Sequence, residues 1–210
     1  MTLHHGRSGS RPRERGQGLV ELALVLPIVL LLIAGVVEIG LIANDSLTIG
    51  YGSREGARAG SALAQGGAPD CSSGDDPGGV DQTVVAAVQR IIQSAASEVL
   101  TSDIDSIVIF KATSTGTKTP GLANTWRYTG VGTGPDVDPG PTISRLDFSP
   151  QATLWPACVR VNDGNRDILG VEVVYNRRLI TPLASLLTAF GGTPAVTLTE
   201  TTVMTLNPSV

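Results

Sequence analysis

The chain has 210 residues, enough for one ordinary domain or for an anchor with one small domain. Its mean hydropathy of +0.17 is high for a sequence with 25 Gly and 13 Pro, because the apolar residues concentrate between Leu19 and Ala43. Four of the 15 basic residues and one of the 19 acidic ones precede Gln17, leaving 11 against 18 from there on. So acidic a remainder is a poor candidate for nucleic-acid binding, which needs clustered Lys and Arg, and no nucleic-acid partner is expected.

The leader holds Arg7, Arg11, Arg13 and Arg15 against Glu14. A basic lead before an apolar run keeps the N-terminus cytoplasmic and predicts export of the acidic remainder. The leader ends in Gly16, and Glu21 is the fifth residue counted from Gln17. A small residue before a scissile bond lets the backbone enter a membrane peptidase. A carboxylate at position five of the new chain can then pair with the freshly exposed α-amino group of a neighbouring subunit, offsetting the burial of its charge in lipid. An uncleaved signal anchor with an interfacial glutamate has the same spacing. A conventional signal peptide needs a shorter apolar region of about 7–15 residues and a small-x-small site after it, for which Ile42-Ala43-Asn44 is a weak substitute.

Leu19 to Ala43 is 25 residues. As a helix it is about 37 Å long, against a hydrocarbon core of ~30 Å. Pro27 removes one amide and frees the carbonyl of Ala23, which predicts a kink or a loosened turn. Glu21 lies near the cytoplasmic end, and Glu38 toward the outer end within reach of the interface. Their separation places them about 260° apart around an ideal helix, which argues against a shared proton or ion path.

Asn44-Asp45-Ser46 marks the exit from lipid, as a cap or a wetted turn, and the helix is expected to continue to about Ala64. Gly52, Gly56 and Gly60 recur every fourth residue beside Ser53, Ala57 and Ser61, a stripe that allows close helix approach. Glycine costs about 1 kcal/mol relative to Ala in a helix. Such a helix is therefore held by packing, either against its own exported domain or in a filament. Arg54, Glu55 and Arg58 are placed to pair along it.

Gln65 to Gly79 reads as a Gly/Pro/Asp loop containing Cys71. Asp81 is the expected N-cap of a helix over roughly 82–100, with Val84, Val88, Ile91, Ile92, Ala95 and Val99 as its apolar face. Ile107 to Phe110 reads as a buried strand. Lys111 to Pro156 reads as a long irregular excursion, with Trp126-Arg127-Tyr128 as an edge strand. Ala157–Val161 and Ile168–Tyr175 are strands flanking an Asp163-Gly164 turn. Pro182 to Phe190 suits a short helix started by proline, and Ala195 to Leu206 a last strand. The fold class is α+β: a long N-terminal transmembrane helix leads into a small domain with a mainly antiparallel sheet of about four strands and one or two packed helices. Its parts are a leader over 1–16, a span over 17–43, a helix continuation over 44–65 and an exported domain over 66–210 with an irregular loop at about 111–156. In an oxidising compartment Cys71 and Cys158 are expected to pair, closing a loop nominally worth about 4–5 kcal/mol. Two unrelated small core residues remain the alternative.

The residues Arg15-Gly16-Gln17-Gly18-Leu19-Val20-Glu21-Leu22-Ala23-Leu24-Val25-Leu26-Pro27, then Glu38-Ile39-Gly40 and Ser53-Arg54-Glu55-Gly56-Ala57-Arg58-Ala59, resemble the TadE-like pseudopilins of the tight-adherence (Flp/Tad) pilus system. The resemblance is dense over about residues 15–62. A fainter one covers Val171-Glu172-Val173-Val174-Tyr175 and Leu179-Ile180-Thr181-Pro182-Leu183. One departure is Leu22, where the family frequently has Phe, and about 66–165 carries no family motif. The resemblance implies cleavage between Gly16 and Gln17 by a dedicated aspartic prepilin peptidase. It also implies a minor pilin-like role in pilus assembly or priming, with other pilin or pseudopilin subunits, the assembly machinery and membrane lipid as partners. Glu21, Pro27, Gly52, Gly56 and Gly60 would be the helix positions used in assembly.

Both histidines, His4 and His5, lie in the leader, so a chain trimmed after Gly16 has none. That excludes Ser-His-Asp, Cys-His and His-metal chemistry from the trimmed protein. The acidic pairs Asp75-Asp76, Asp103/Asp105, Asp136/Asp138 and Asp163/Asp167 sit beside turn residues and read as solvated turns rather than as metal or catalytic carboxylates. No catalytic residue, cofactor or metal is expected. The alternative function is an uncleaved single-pass surface protein with an exported ligand-binding domain; a membrane-tethered hydrolase is the third.

Overall fold

The computed structural model describes residues 14–63, 79–94, 99–137 and 145–207. A single helix α1, Glu14–Leu63, runs 50 residues and passes through Pro27 without interruption. The chain divides into two compact units. One contains α1 up to Gly40 together with Leu179–Pro194; the other runs from Leu41 to Arg178 and resumes at Ala195.

The second unit is an antiparallel sheet of β1 (Ile104–Ala112), β2 (Lys118–Tyr128), β3 (Phe148–Thr153), β4 (Ile168–Arg178) and β5 (Ala195–Thr205), in the order β3-β2-β1-β4-β5. Its central strand β1 buries both faces. Ile107 and Ile109 enter the main core, while Val108, Phe110 and Ala112 form a small cluster on the opposite face. That is why its sequence is a continuous apolar run rather than an alternation. Both helices of this unit, α2 (Val80–Ile92) and the 41–63 portion of α1, share one face of the sheet. Val84, Val88 and Ile92 of α2 and Ile49 and Ala57 of α1 join Leu169, Val171 and Val173 of β4 in one core.

The stripe Gly52, Gly56 and Gly60 permits this packing. A Cβ on Gly56 would lie 2.7 Å from Val88 Cγ2 and 3.3 Å from Val171 Cγ1. One on Gly60 would lie 3.0 Å from Leu169 Cδ1 and from Val84 Cγ2. Of the two uses expected for the stripe, packing on the unit's own α2 and β4 is the one these contacts fill.

Several expected elements change. Helix α2 begins at Val80 and ends at Ile92; Val99 and Leu100 are not helical, and 95–98 lie outside the described residues. Gly79, at φ 65°, takes the N-cap position, and Asp81 is buried inside the first turn. The 111–156 region is not irregular throughout, because β2 and β3 both fall in it. Trp126 and Tyr128 belong to β2, an interior strand, and the edge on that side is β3, where Pro150 blunts pairing. Residues 157–161 are no strand: Ala157–Val159 is a 3₁₀ turn, and Asp167 closes the following loop through hydrogen bonds with Val161. Helix α3 (Leu183–Ala189) and β5 lie where the proline start and the Thr/Val run predict them.

Because Gly56 is pinched between Val88 and Val171, Gly56→Leu is expected to cost about 1–3 kcal/mol in urea unfolding of the detergent-solubilised chain. At Gly50 a Cβ meets nothing nearer than 3.9 Å. Gly50→Ala should be neutral or stabilising by about 0.5–1 kcal/mol through helix propensity alone.

Candidate assembly helix and its anchoring contacts

From Gln17 to Ile33 every described side chain of α1 is exposed within this chain, Leu19, Leu24 and Leu32 by about two thirds or more. The apolar stretch is long enough to cross a membrane. It is the one such helix among the described residues and lies near the N-terminus. Gly16 and Gln17 lie within the helix, and Gln17 Nε2 donates to Glu21 Oε1 at 3.2 Å. Gly18 and Gly40 face open space, where a Cβ would meet nothing within 4 Å. The residues before 14, with His4 and His5, lie outside the described residues.

Glu38 does not reach for solvent. It is 3% exposed, and its carboxylate accepts the backbone N–H of Ile180 at 3.4 Å and of Thr181 at 3.1 Å. Glu38 of α1 and the segment that follows β4 are thus brought into contact. Thr181 Oγ1 beside them is buried without a partner among the described residues.

The next polar residues of α1 bind the sheet. Asp45 is fully buried and accepts from Arg177 Nη1 of β4 at 2.5 Å. Ser46 donates to Glu200 of β5 at 2.6 Å, and Ser53 pairs with Thr202 at 2.9 Å. Glu55 and Arg58 form an ion pair on the helix surface at 2.6 Å, and the hydrogen bond from Arg58 holds the Glu55 carboxyl below its usual range. Arg54 lies over the Tyr51 ring.

A second buried polar group ties α2 to the sheet. Asp81 accepts from Arg160 Nη2 and from Asn124 Nδ2, each at 2.5 Å. Asn124 also brackets the Trp155 peptide, taking its N–H at 2.7 Å and donating to its carbonyl at 2.8 Å. The Arg160 guanidinium lies 4.6 Å from the Trp155 ring centroid. Cys158 sits in the adjoining turn; Cys71 lies outside the described residues, as do Asp75, Asp76 and Asp138.

The remaining acidic residues are spread out. Asp167 pairs with Lys111, Asp136 with Arg145 and Asp105 with Arg127. Among the described residues no group of three or more His, Cys, Asp or Glu side chains gathers to hold a metal. Asp103, Asp105, Arg127, Tyr128, Asn176 and Arg178 line an open cleft of about 490 Å³ across the ends of β1, β2 and β4. It offers hydrogen-bonding groups of both charges, and its lining includes no histidine or cysteine to act as base or nucleophile.

Sequence reasoning missed the partners of Glu38, Asp45 and Asp81. The only available signal was a carboxylate interrupting an apolar or small-residue stretch, which predicts a partner without saying where it is.

Removing one side of a buried ion pair leaves the other charge in a poor solvent, so Arg177→Met should cost about 3–5 kcal/mol in chemical unfolding. Asp45→Leu combined with Arg177→Met should recover most of that loss, a coupling read by a double-mutant cycle. Burial first, and the nearby Asp45 carboxylate second, push the Tyr175 phenol above its ordinary value, with Arg177 pulling the other way. A raised folded-state pKa means that the stability it contributes is intact below pH ~10 and lost as pH rises through the folded value. Titration of phenolate absorbance should show a late step that Tyr175→Phe removes.

Among known proteins, no curated protein and no solved structure matches the chain. One protein-family model does: the family described as TadE-like protein matches residues 16–58, from the glycine that ends the basic leader through the Glu55–Arg58 pair. That match covers the exposed apolar stretch and the residues that seat α1 on the sheet, and over those residues the chain is similar to TadE-like proteins.

Proposed function

We propose that the chain is a minor pseudopilin that takes part in assembling or priming a tight-adherence pilus. It inserts with its N-terminus in the cytoplasm and its acidic domain exported, and a prepilin peptidase trims it between Gly16 and Gln17. The observation that carries this reading is the placement of Glu21. It is a carboxylate on an exposed apolar helix, five residues into the trimmed chain, and its one hydrogen-bond partner among the described residues is Gln17. A charge in that setting favours any arrangement that brings it a cation, and the α-amino group of a neighbouring trimmed subunit is such a cation. The family match supports the reading because it opens at Gly16 itself.

In this reading the exposed part of α1, with Glu21 and Pro27, is the assembly surface, and the glycine stripe serves the exported unit. Pro27 leaves the Ala23 carbonyl without its intrahelical amide, a point where α1 can bend when it packs among other subunits. Cys71 and Cys158 pair in the exported domain. The open cleft of about 490 Å³ is what favours the second reading, an uncleaved anchor that displays a ligand-binding domain.

Mass spectrometry of the protein from its native membrane separates the two. The expected mature chain starts at Gln17 and weighs two hydrogens less before reduction than after it, and Gly16→Val blocks trimming. A chain starting at Met1, or at a site near Asn44, overturns the pseudopilin reading. Glu21→Ala should leave membrane insertion and trimming intact while abolishing pilus assembly; full piliation would instead favour the displayed binding domain.

A further inference from the structure

The connection between β4 and β5, Leu179–Pro194, contains no charged residue along its 16 positions. It does not cluster with the sheet whose strands it joins, but with the portion of α1 that ends at Gly40. Its apolar side chains face outward: Phe190 is 84% exposed and Ile180 70%, with Leu186 and Leu187 exposed as well. A water-facing connection of this composition would leave large apolar groups unsatisfied, whereas a lipid-facing one gains from every one of them.

Several of its polar groups, though not the Thr181 hydroxyl, are arranged as lipid requires. The hydroxyls of Ser185 and Thr188 donate to the carbonyls of Pro182, Ala184 and Ser185 within the segment. The backbone closes on itself through Leu179 N–H to the Pro194 carbonyl and Gly192 N–H to the Leu187 carbonyl. In hydrocarbon or at its border, groups satisfied internally are the ones that can be placed there.

Glu38 locates the segment. Charge-free α1 runs from Leu22 to Val37, 16 residues or about 24 Å, short of a ~30 Å hydrocarbon core. Extending the run to Ala43 gives 22 residues or about 33 Å, but it then includes Glu38. The amides of Ile180 and Thr181 meet that carboxylate and shield it from lipid.

We propose that Leu179–Pro194 is a second membrane-inserted element. It lies in the headgroup–acyl boundary beside the Glu38 end of α1, with phospholipid as its partner. The segment rests on the reading of α1 as the membrane anchor, and it turns a single-pass attachment into a two-point one. Because it is uncharged, its insertion depends on acyl chains and not on anionic headgroups.

The test uses the full chain in phosphatidylcholine vesicles, with and without brominated acyl chains. Phe190→Trp is compared with Val131→Trp, whose position is 79% exposed in the sheet-bearing unit, and the buried Trp126 and Trp155 supply a background read from the unsubstituted protein. The expected result is a blue-shifted Phe190→Trp emission, quenched about twofold by brominated lipid, with Val131→Trp unaffected. Replacing part of the phosphatidylcholine by phosphatidylglycerol should not change it. Phe190→Trp emission that is water-like, or blue-shifted but insensitive to brominated lipid and so packed on protein, overturns the proposal. Vesicle flotation reads the anchor separately. A chain that fails to float removes both the anchor and this segment, whereas one that floats with an unquenched Phe190→Trp removes the segment alone.

Discussion

The close approach of α1 to α2 and β4 at Gly52, Gly56 and Gly60 is the constraint on which the sheet-bearing unit depends. A helix held by so many glycines is weak by propensity. It gains by letting its axis come near enough for Val84, Val88, Leu169 and Val171 to fill the groove that the missing side chains leave. The seat places Ser46 and Ser53 within hydrogen-bonding distance of β5 and carries Asp45 to Arg177. One surface of small residues thus sets both the packing and the polar register of the helix on the sheet.

The same helix meets two environments. Up to about Gly40 its side chains are large, apolar and exposed, which suits lipid; beyond Leu41 its buried face is small or polar and is matched by the sheet. Each acidic residue that falls where water is scarce has a specific answer. Glu38 takes two backbone amides, Asp45 takes a guanidinium, and Glu21 has only a nearby glutamine among the described residues. That difference separates the carboxylates satisfied by the fold from the one on which the proposed assembly chemistry rests.

Much of the fold was legible locally. The apolar run of α1, the period of Val84, Val88 and Ile92, the β-branched stretches of β1, β4 and β5, and Pro182 ahead of α3 each act through near neighbours and leave a sequence pattern. Strand β3, and β2 apart from its Trp126–Tyr128 end, escaped because Lys118–Tyr128 and Phe148–Thr153 mix Gly, Pro, Thr and Ser with few apolar residues. They are strands because β1 offers them hydrogen-bonding partners, not because of their own pattern. Asp81 read as a cap because an acidic residue before an apolar run usually is one; burial against Asn124 and Arg160 overrode that local role.

Residue order alone establishes the long apolar run, the acidic balance of everything after it and the absence of histidine beyond His5. These are sums over residues and need no geometry. What Glu38 and Asp45 bind is set by folding in three dimensions, since their partners lie 132 or more positions away and no local pattern encodes that distance. Folding also selects which face of α1 the glycine stripe serves. The uncharged run of Leu179–Pro194 was readable as composition. Its place beside Glu38 follows from a hydrogen-bonding demand that arises only when the chain is folded.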